Sequence, residues 1–141
     1  MRQEDDYRRG RHVVSALNVH LVFVTKYRRR VLNGKHLDAL QEVFTSVCAD
    51  FGAELVEMDG EDDRVHRLVG YPPNVAVARL VNSLKGVSAR RLRQRYRVRT
   101  HQEHLWSPSY FAASADGAPL ETLKTYIRQQ RTPGPARLTP P

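Results

Sequence analysis

The sequence predicts an α+β protein with a ferredoxin-like β-α-β-β-α-β antiparallel sheet, followed by an extra C-terminal helix. Runs of strand length with apolar alternation, and two longer stretches with apolar residues at helical spacing, occur in that order. A length of 141 residues is typical of one domain, and 40% hydrophobic with 27% charged residues is the composition of a folded protein.

The first four elements follow from hydrophobic spacing and turn residues. In residues 13–25, Leu21, Phe23 and Thr25 alternate with His20, Val22 and Val24, which predicts a strand with at least one buried face. Residues 35–51 carry a helical apolar stripe, and Gly52 ends that helix. Residues 53–58 and 64–71 predict two strands joined into an antiparallel hairpin.

The last three elements complete the pattern. Asn74 is a candidate N-cap for a helix that continues to Tyr96. A fourth strand is predicted within WSPSYFAAS, beginning at Tyr110. Pro119, a favoured first helical residue, opens a last helix that ends at Gln130.

The domain is predicted over residues 15–130, between a flexible N-terminal arm (1–14) and a Pro-rich disordered tail (131–141). No run approaches the ~18 apolar residues of a membrane span, and the N-terminus lacks an apolar signal core. Cys48 is the one cysteine, which excludes an intramolecular disulfide. We expect a cytoplasmic protein without a membrane partner.

The net charge of +8 favours a polyanionic partner, with nucleic acid ahead of an acidic membrane surface. The segments KYRRR and GVSARRLRQRYRVR contain no acidic residue. Guanidinium groups pair with phosphates and stack on bases, although such segments also form solvated helix faces. The candidate DNA-binding residues are Lys26, Arg28, Arg29, Arg30, Lys85, Arg90, Arg91, Arg93 and Arg95.

Two pairs of residues have a spacing suited to chemistry. His66 and Arg64 stand two apart on a predicted strand, so both side chains project from one face. Tyr126 and Gln130 stand four apart on the last helix and share a side of it. Taken alone, each pattern is more often structural: a strand histidine is usually packed or solvated, and a tyrosine beside an apolar stripe usually packs.

Five segments favour a functional interpretation of these residues over a structural one. They are NVHLVFVTKYRRRVL, LVNSLKG, RRLR, LWSPSYF and ETLKTYIRQQ. Their order and spacing resemble the single-tyrosine HUH transposases of IS200-type insertion sequences, the TnpA-like proteins. The resemblance covers about residues 15–130. Members of that family have a ferredoxin-like domain with an added helix that bears the tyrosine, which matches the element order above.

The resemblance implies a transposase that cuts single-stranded DNA beside hairpins at element ends and rejoins it, through a 5′-phosphotyrosine intermediate. It assigns the nucleophile to Tyr126. It assigns Mg²⁺ or Mn²⁺ binding to His66, the second histidine of a His-apolar-His motif, and to Gln130. It further implies a homodimer whose active sites are shared between subunits.

The sequence departs from that family at the first metal ligand. The family motif Asp-His-Val-His-Leu-Leu is replaced by DRVHRL over residues 63–68, so Arg64 stands where the first histidine is expected. Arginine has no acceptor lone pair and adds a positive charge beside the metal. Arg67 also replaces an apolar residue on the opposite face; if that face lies under the helices, Arg67 must snorkel out or destabilise the fold.

Three explanations of Arg64 are open. Arg64 replaces the charge of the metal at the scissile phosphate, Asp63 acts as a substitute ligand, or the protein is a relic or domesticated transposase that binds hairpin DNA without cutting it. We expect impaired or absent cleavage. For the function of the protein, a ferredoxin-like RNA-binding module is a third hypothesis after the transposase and the hairpin-DNA binder. It is the weaker one, because the central strands lack the expected stacking aromatics.

Overall fold

The computed structural model describes residues 17–96, 104–115 and 119–129. The predicted N-terminal arm (1–14) and Pro-rich tail (131–141) lie outside the described residues, so both stay predictions.

Four strands form one antiparallel sheet in the spatial order β2-β3-β1-β4. β1 lies in the centre and pairs with both β3 and β4, whereas β2 pairs with β3 as the predicted hairpin. The β-α-β-β-α-β order and the fold class are therefore confirmed. The strands are β1 (Leu17–Thr25), β2 (Glu54–Gly60), β3 (Arg64–Tyr71) and β4 (Trp106–Ser114).

Three α-helices accompany the sheet: α1 (Gly34–Asp50), α2 (Val77–Arg95) and α3 (Leu120–Gln129). A capping box starts α1, because the Asn33 side chain accepts from the His36 backbone N–H and His36 Nδ1 accepts from the Asn33 N–H, both at 3.0 Å. Gly52 follows α1 with a φ of +71°, a left-handed conformation that glycine adopts without strain.

Two predicted boundaries were wrong. The N-cap of α2 is Ala76 rather than Asn74, because the chain after Pro72 first makes a turn in which the Val75 N–H donates to the Pro72 carbonyl. β4 begins at Trp106 rather than Tyr110. Trp106 pairs with Thr25 across a register shift, a long-range contact that local spacing does not reveal.

The two faces of the sheet pack against different helices. One face of the strands forms the main core with α1 and α2, through residues such as Leu21, Phe23 and Val69. α3 contacts β2 and β3, and its Ile127 is buried outside that main core. Because side chains alternate along a strand, His20 on β1 and Leu68 on β3 face α3.

Arg67 lies fully buried in the core face. Its guanidinium carbon lies 3.6 Å from the ring centroid of Phe23 and 4.4 Å from that of Phe44. Its three nitrogens have no hydrogen-bond partner among the described residues. Of the two expectations for Arg67, snorkelling was wrong, because two aromatic faces hold the cation inside, whereas destabilisation of the fold stays a prediction. Burial lowers the pKa of Arg67 to about 9, so it stays charged at neutral pH.

Candidate active site

Two imidazoles lie together on the sheet face that α3 covers. His20 stands opposite Leu68 in the β1–β3 register, and His66 stands opposite Val22, so the two histidines are diagonal neighbours on adjacent strands. His20 Nε2 lies 3.3 Å from His66 Nδ1, and the rings stack with centroids 5.5 Å apart. His66 also has Asp59 of β2 opposite it in the register.

Both imidazoles are buried, with 9% of His20 and 8% of His66 exposed. Burial, and secondly the positive charge of Arg67 on the other side of the sheet, lower the pKa of His20 to about 4. His20 is therefore neutral at physiological pH. A neutral imidazole keeps a lone pair that can accept a proton or bind a cation.

Tyr126 projects from α3 towards His20. Its ring centroid lies 5.5 Å from that of His20, with the ring planes perpendicular. Buried Ile127 holds α3 on the sheet, and Arg128 Nε reaches Glu57 Oε2 of β2 at 3.2 Å. Half of Tyr126 is exposed, and it lines a cavity of about 370 Å³ beside His20, Leu68 and residues of β4.

The tyrosine and the imidazole strands thus meet within one chain. Tyr126 contacts His20, and His20 contacts His66, without an exchange of α3 between subunits. The shared-site homodimer implied by the family resemblance stays a prediction.

Arg64 is held by the acidic turn that precedes β3. Its Nε and Nη2 donate to the two carboxylate oxygens of Asp63 at 3.0 and 3.4 Å. The hydrogen bond from Arg64 to Asp63 raises the pKa of Arg64. Arg28 approaches the same carboxylate at 3.7 Å. Asp63 is thereby engaged by two guanidinium groups, which disfavours it as a substitute metal ligand.

Imidazole nitrogens are the candidate metal donors at this place. No cluster of three or more His, Cys, Asp or Glu side chains suited to a metal occurs in the described part of the chain. Gln130 lies outside the described residues, so its predicted role as a ligand stays a prediction. Two adjacent imidazole donors fit a divalent cation that would complete its coordination with a glutamine, water or phosphate oxygens.

Four of the predicted DNA-binding residues line one groove of about 420 Å³ between α2 and the start of β4: Lys26, Lys85, Arg90 and Arg93. The Lys85 ammonium donates to the carbonyls of Ser107 and Pro108 at 2.7 and 3.0 Å, and burial lowers its pKa. Lys85 therefore joins α2 to β4 as well as contributing charge to the groove.

The other predicted DNA-binding residues lie elsewhere. Arg91 and Arg95 line a second groove beside α1, where Arg95 approaches Glu42 at 3.4 Å. Arg28 and Arg30 approach the acidic turn at Asp63 and Asp62. The Arg29 carbonyl accepts from Thr25 Oγ1. The nine residues therefore divide among at least three surfaces.

Sequence reasoning missed His20 as a site residue. It lies in the middle of a strand of apolar residues, which is typical of a packed side chain. The available signal was the alternation of side chains along the strand. His20 stands an odd number of positions from the core residues Leu21 and Phe23, and so its side chain faces away from theirs. Its approach to His66 depends on the β1–β3 register, which local spacing does not determine.

The family model described as "Transposase IS200 like" matches residues 13–130. The ISDra2 transposase TnpA of Deinococcus radiodurans is 32% identical over 128 residues, which span 89% of this chain and 91% of that protein.

This chain belongs to the IS200-like transposase family. The transposase of insertion sequence IS200 from Salmonella typhimurium is 25% identical over 114 residues, covering 79% of this chain and 74% of that protein.

One solved structure agrees with the family assignment, and a second shares the fold. A crystal structure of a Deinococcus radiodurans R1 protein, described as a transposase, matches with a TM-score of 0.68 and 31% identity over 93% of this chain and 98% of that one. A REP-associated tyrosine transposase bound to a REP hairpin matches with a TM-score of 0.59. At 11% identity over 83% of this chain and 66% of that one, the second match concerns the fold alone.

No helix in the described ranges is long and apolar enough to cross a membrane.

Proposed function

We propose that this IS200-like transposase cleaves and rejoins single-stranded DNA beside hairpins, with Tyr126 as the nucleophile. The observation that carries the proposal is the contact of Tyr126 with His20, which in turn approaches His66 at 3.3 Å. A half-exposed tyrosine beside two buried imidazoles, next to an open cavity, is suited to receive a phosphodiester.

In the cleavage step, the Tyr126 oxygen attacks phosphorus while the bond from phosphorus to the 3′ oxygen breaks. The phenol proton leaves, the DNA 5′ phosphate becomes esterified to Tyr126, and the departing 3′ oxygen takes up a proton as a hydroxyl. Rejoining is the reverse attack by a 3′-OH, and it needs no ATP because the phosphotyrosine ester retains the bond energy.

The protein has to hold the tyrosine and the phosphate in line and offset negative charge. α3 orients Tyr126 through Ile127 and the Arg128–Glu57 ion pair. His66 and Gln130 would hold Mg²⁺ or Mn²⁺, which supplies charge to the cleaved phosphate. The groove with Arg90 and Arg93 would bind the DNA backbone.

Arg64 favours a second candidate function, a hairpin-DNA binder without cleavage. Its guanidinium occupies the first-ligand position of the family motif and pairs with Asp63, which leaves that position without a metal donor. We therefore expect weaker cleavage than a histidine at position 64 would support.

The first prediction separates the two functions. Incubation of the protein with hairpin-bearing single-stranded DNA and Mg²⁺ or Mn²⁺ should yield a protein–DNA adduct that survives SDS. Tyr126→Phe should abolish the adduct, because it removes the attacking oxygen, and should keep DNA binding in a mobility-shift assay.

The control is Tyr71→Phe, the same chemical change on the core face of β3, which should keep the adduct. Binding without any adduct in the unmodified protein, at every metal concentration, would assign the chain to the binders instead.

A further inference from the structure

We infer that His20 and His66 form a two-imidazole site for a divalent cation, in which His20 supplies the donor that Arg64 cannot. The inference rests on the proposed function, because it names a ligand for the cation of that reaction. Its evidence is the 3.3 Å approach of His20 Nε2 to His66 Nδ1 on the face that Tyr126 covers.

The distance suits two nitrogens bound to one cation. Metal–imidazole bonds of roughly 2.0–2.1 Å place two ligand nitrogens about 3.3–3.4 Å apart in a tetrahedral site, as in zinc proteins. An octahedral site with similar bond lengths places them about 2.9 Å apart. The observed 3.3 Å separation therefore matches that of two ligands of one cation, and rotation of the rings so that both lone pairs point at the cation would complete the site.

The positions of the two histidines are set by the centre of the sheet. β1 and β3 are paired along their length, so the backbones that carry both rings are fixed relative to each other. Arg64 stands opposite Val24, beyond His66 as seen from His20. A cation between His66 and His20 would consequently lie farther from the guanidinium, and nearer to Tyr126, than one between positions 64 and 66.

The tautomers of the two rings also allow both nitrogens to bind one cation. A hydrogen bond between these two imidazole nitrogens has one N–H in the contact, on His20 Nε2 or on His66 Nδ1. Binding of a cation to both nitrogens requires that hydrogen to move to the other nitrogen of the same ring. Only one ring changes its tautomer, and the net charge of the pair is unaltered.

Titration of the DNA-free protein with Zn²⁺ alone tests the site directly. Zinc is diamagnetic, so long-range ¹H–¹⁵N spectra can follow each ring nitrogen. We expect both His20 Nε2 and His66 Nδ1 to move to metal-bound shifts at one equivalent. A shift of His66 alone, or of neither ring, would overturn the inference and leave the contact as an imidazole hydrogen bond only.

Affinity measurements give a second readout. His20→Ala and His66→Ala should each weaken Mn²⁺ binding, followed by the EPR signal of the free ion, by more than about tenfold. His104→Ala removes an exposed histidine and should leave Mn²⁺ affinity unchanged. Equal affinities in the protein and in His20→Ala would contradict the inference. The zinc titration of the unaltered chain decides the question if His20→Ala does not fold.

The adduct assay distinguishes failure of the two-imidazole cation site from failure of the proposed cleavage function. Adduct formation with no metal shift at His20 would refute the inference and retain cleavage by Tyr126. Cation binding by both rings with no adduct would retain the inference and remove the proposed reaction. Tyr126→Phe should keep the zinc-dependent shifts, because the phenol is not one of the two donors.

Discussion

At position 64, the metal donor that the family pattern expects conflicts with the positively charged side chain that is present. Arg64 shares a sheet face with His66, where the family pattern expects a donor to a metal, yet it offers a fixed positive charge. The structure gives this charge a partner in Asp63 and leaves it 23% exposed. The residue is thereby accommodated in the fold, and we expect it to weaken cation binding.

Arg64→His is the second prediction. The exchange removes the repulsive charge and adds an imidazole on the His66 face, so Mn²⁺ affinity should rise by more than about tenfold and the adduct should form faster. Arg64→Gln is the matched control, since it removes the charge and adds no imidazole. An Arg64→Gln gain equal to that of Arg64→His would mean that charge alone limits the site.

Arg67→Met is the third prediction, and it concerns stability. Arg67 is a buried cation held by two aromatic rings without hydrogen bonds from described residues. Replacing such an ion with a well-packed apolar side chain should raise the free energy of unfolding by about 1–3 kcal/mol, measured by urea denaturation.

Arg67→Lys should lower stability, because an ammonium is more strongly hydrated and lacks a flat face to stack on Phe23. A loss of stability in Arg67→Met would show that the aromatic contacts outweigh the desolvation of the guanidinium.

At the scale of elements, α3 and β4 border the site from two directions. α3 brings Tyr126 to His20, whereas β4 supplies one wall of the cavity and ends the sheet. Tyr110 and Phe111 of β4 are 39% and 52% exposed. An edge strand with exposed aromatics is a template for pairing with another strand, which supports the predicted homodimer.

Tyr110→Lys is the fourth prediction. A charge on the edge strand β4 should oppose strand pairing between two copies, so the mass in solution, measured by light scattering, should fall from dimer towards monomer. Gln41→Lys, on an exposed part of α1, adds the same charge and should leave the mass unchanged. A monomer in the unaltered protein would refute the sheet-joined dimer.

At the scale of the whole molecule, the net charge of +8 is unevenly arranged. Lys26, Lys85, Arg90 and Arg93 surround one groove, whereas Arg28 and Arg30 approach the acidic turn. The arginines of α2 also separate, because Arg91 and Arg95 turn towards α1. The groove is therefore the surface on which we expect phosphate contacts.

The fifth prediction is a salt dependence. The logarithm of the association constant for single-stranded DNA should fall with the logarithm of salt concentration, with a slope of about −0.7 per phosphate neutralised. Arg90→Ala and Arg93→Ala should each reduce the slope by about one such increment, whereas Arg79→Ala, in the first turn of α2, should not. A slope unaffected by Arg90 and Arg93 would exclude the groove as the backbone site.

The fold was predictable because each element has a local cause. Apolar alternation marks β1, and a helical stripe ended by Gly52 marks α1. The starts of α2 and β4 were not predictable, because the turn after Pro72 and the Trp106–Thr25 pairing involve contacts outside the local pattern. In the site, Tyr126 and His66 followed from the family resemblance, whereas His20 did not.

The sequence by itself determined the family, the order of the elements, and the chemical conflict at Arg64, since all three depend on residue types and their spacing along the chain. The tertiary structure decided which groups meet. The β1–β3 register brings His20 to His66, α3 covers that face with Tyr126, and two aromatic rings retain Arg67 in the core. These contacts join residues far apart in the chain, and only the packing of the whole sheet against its helices selects them.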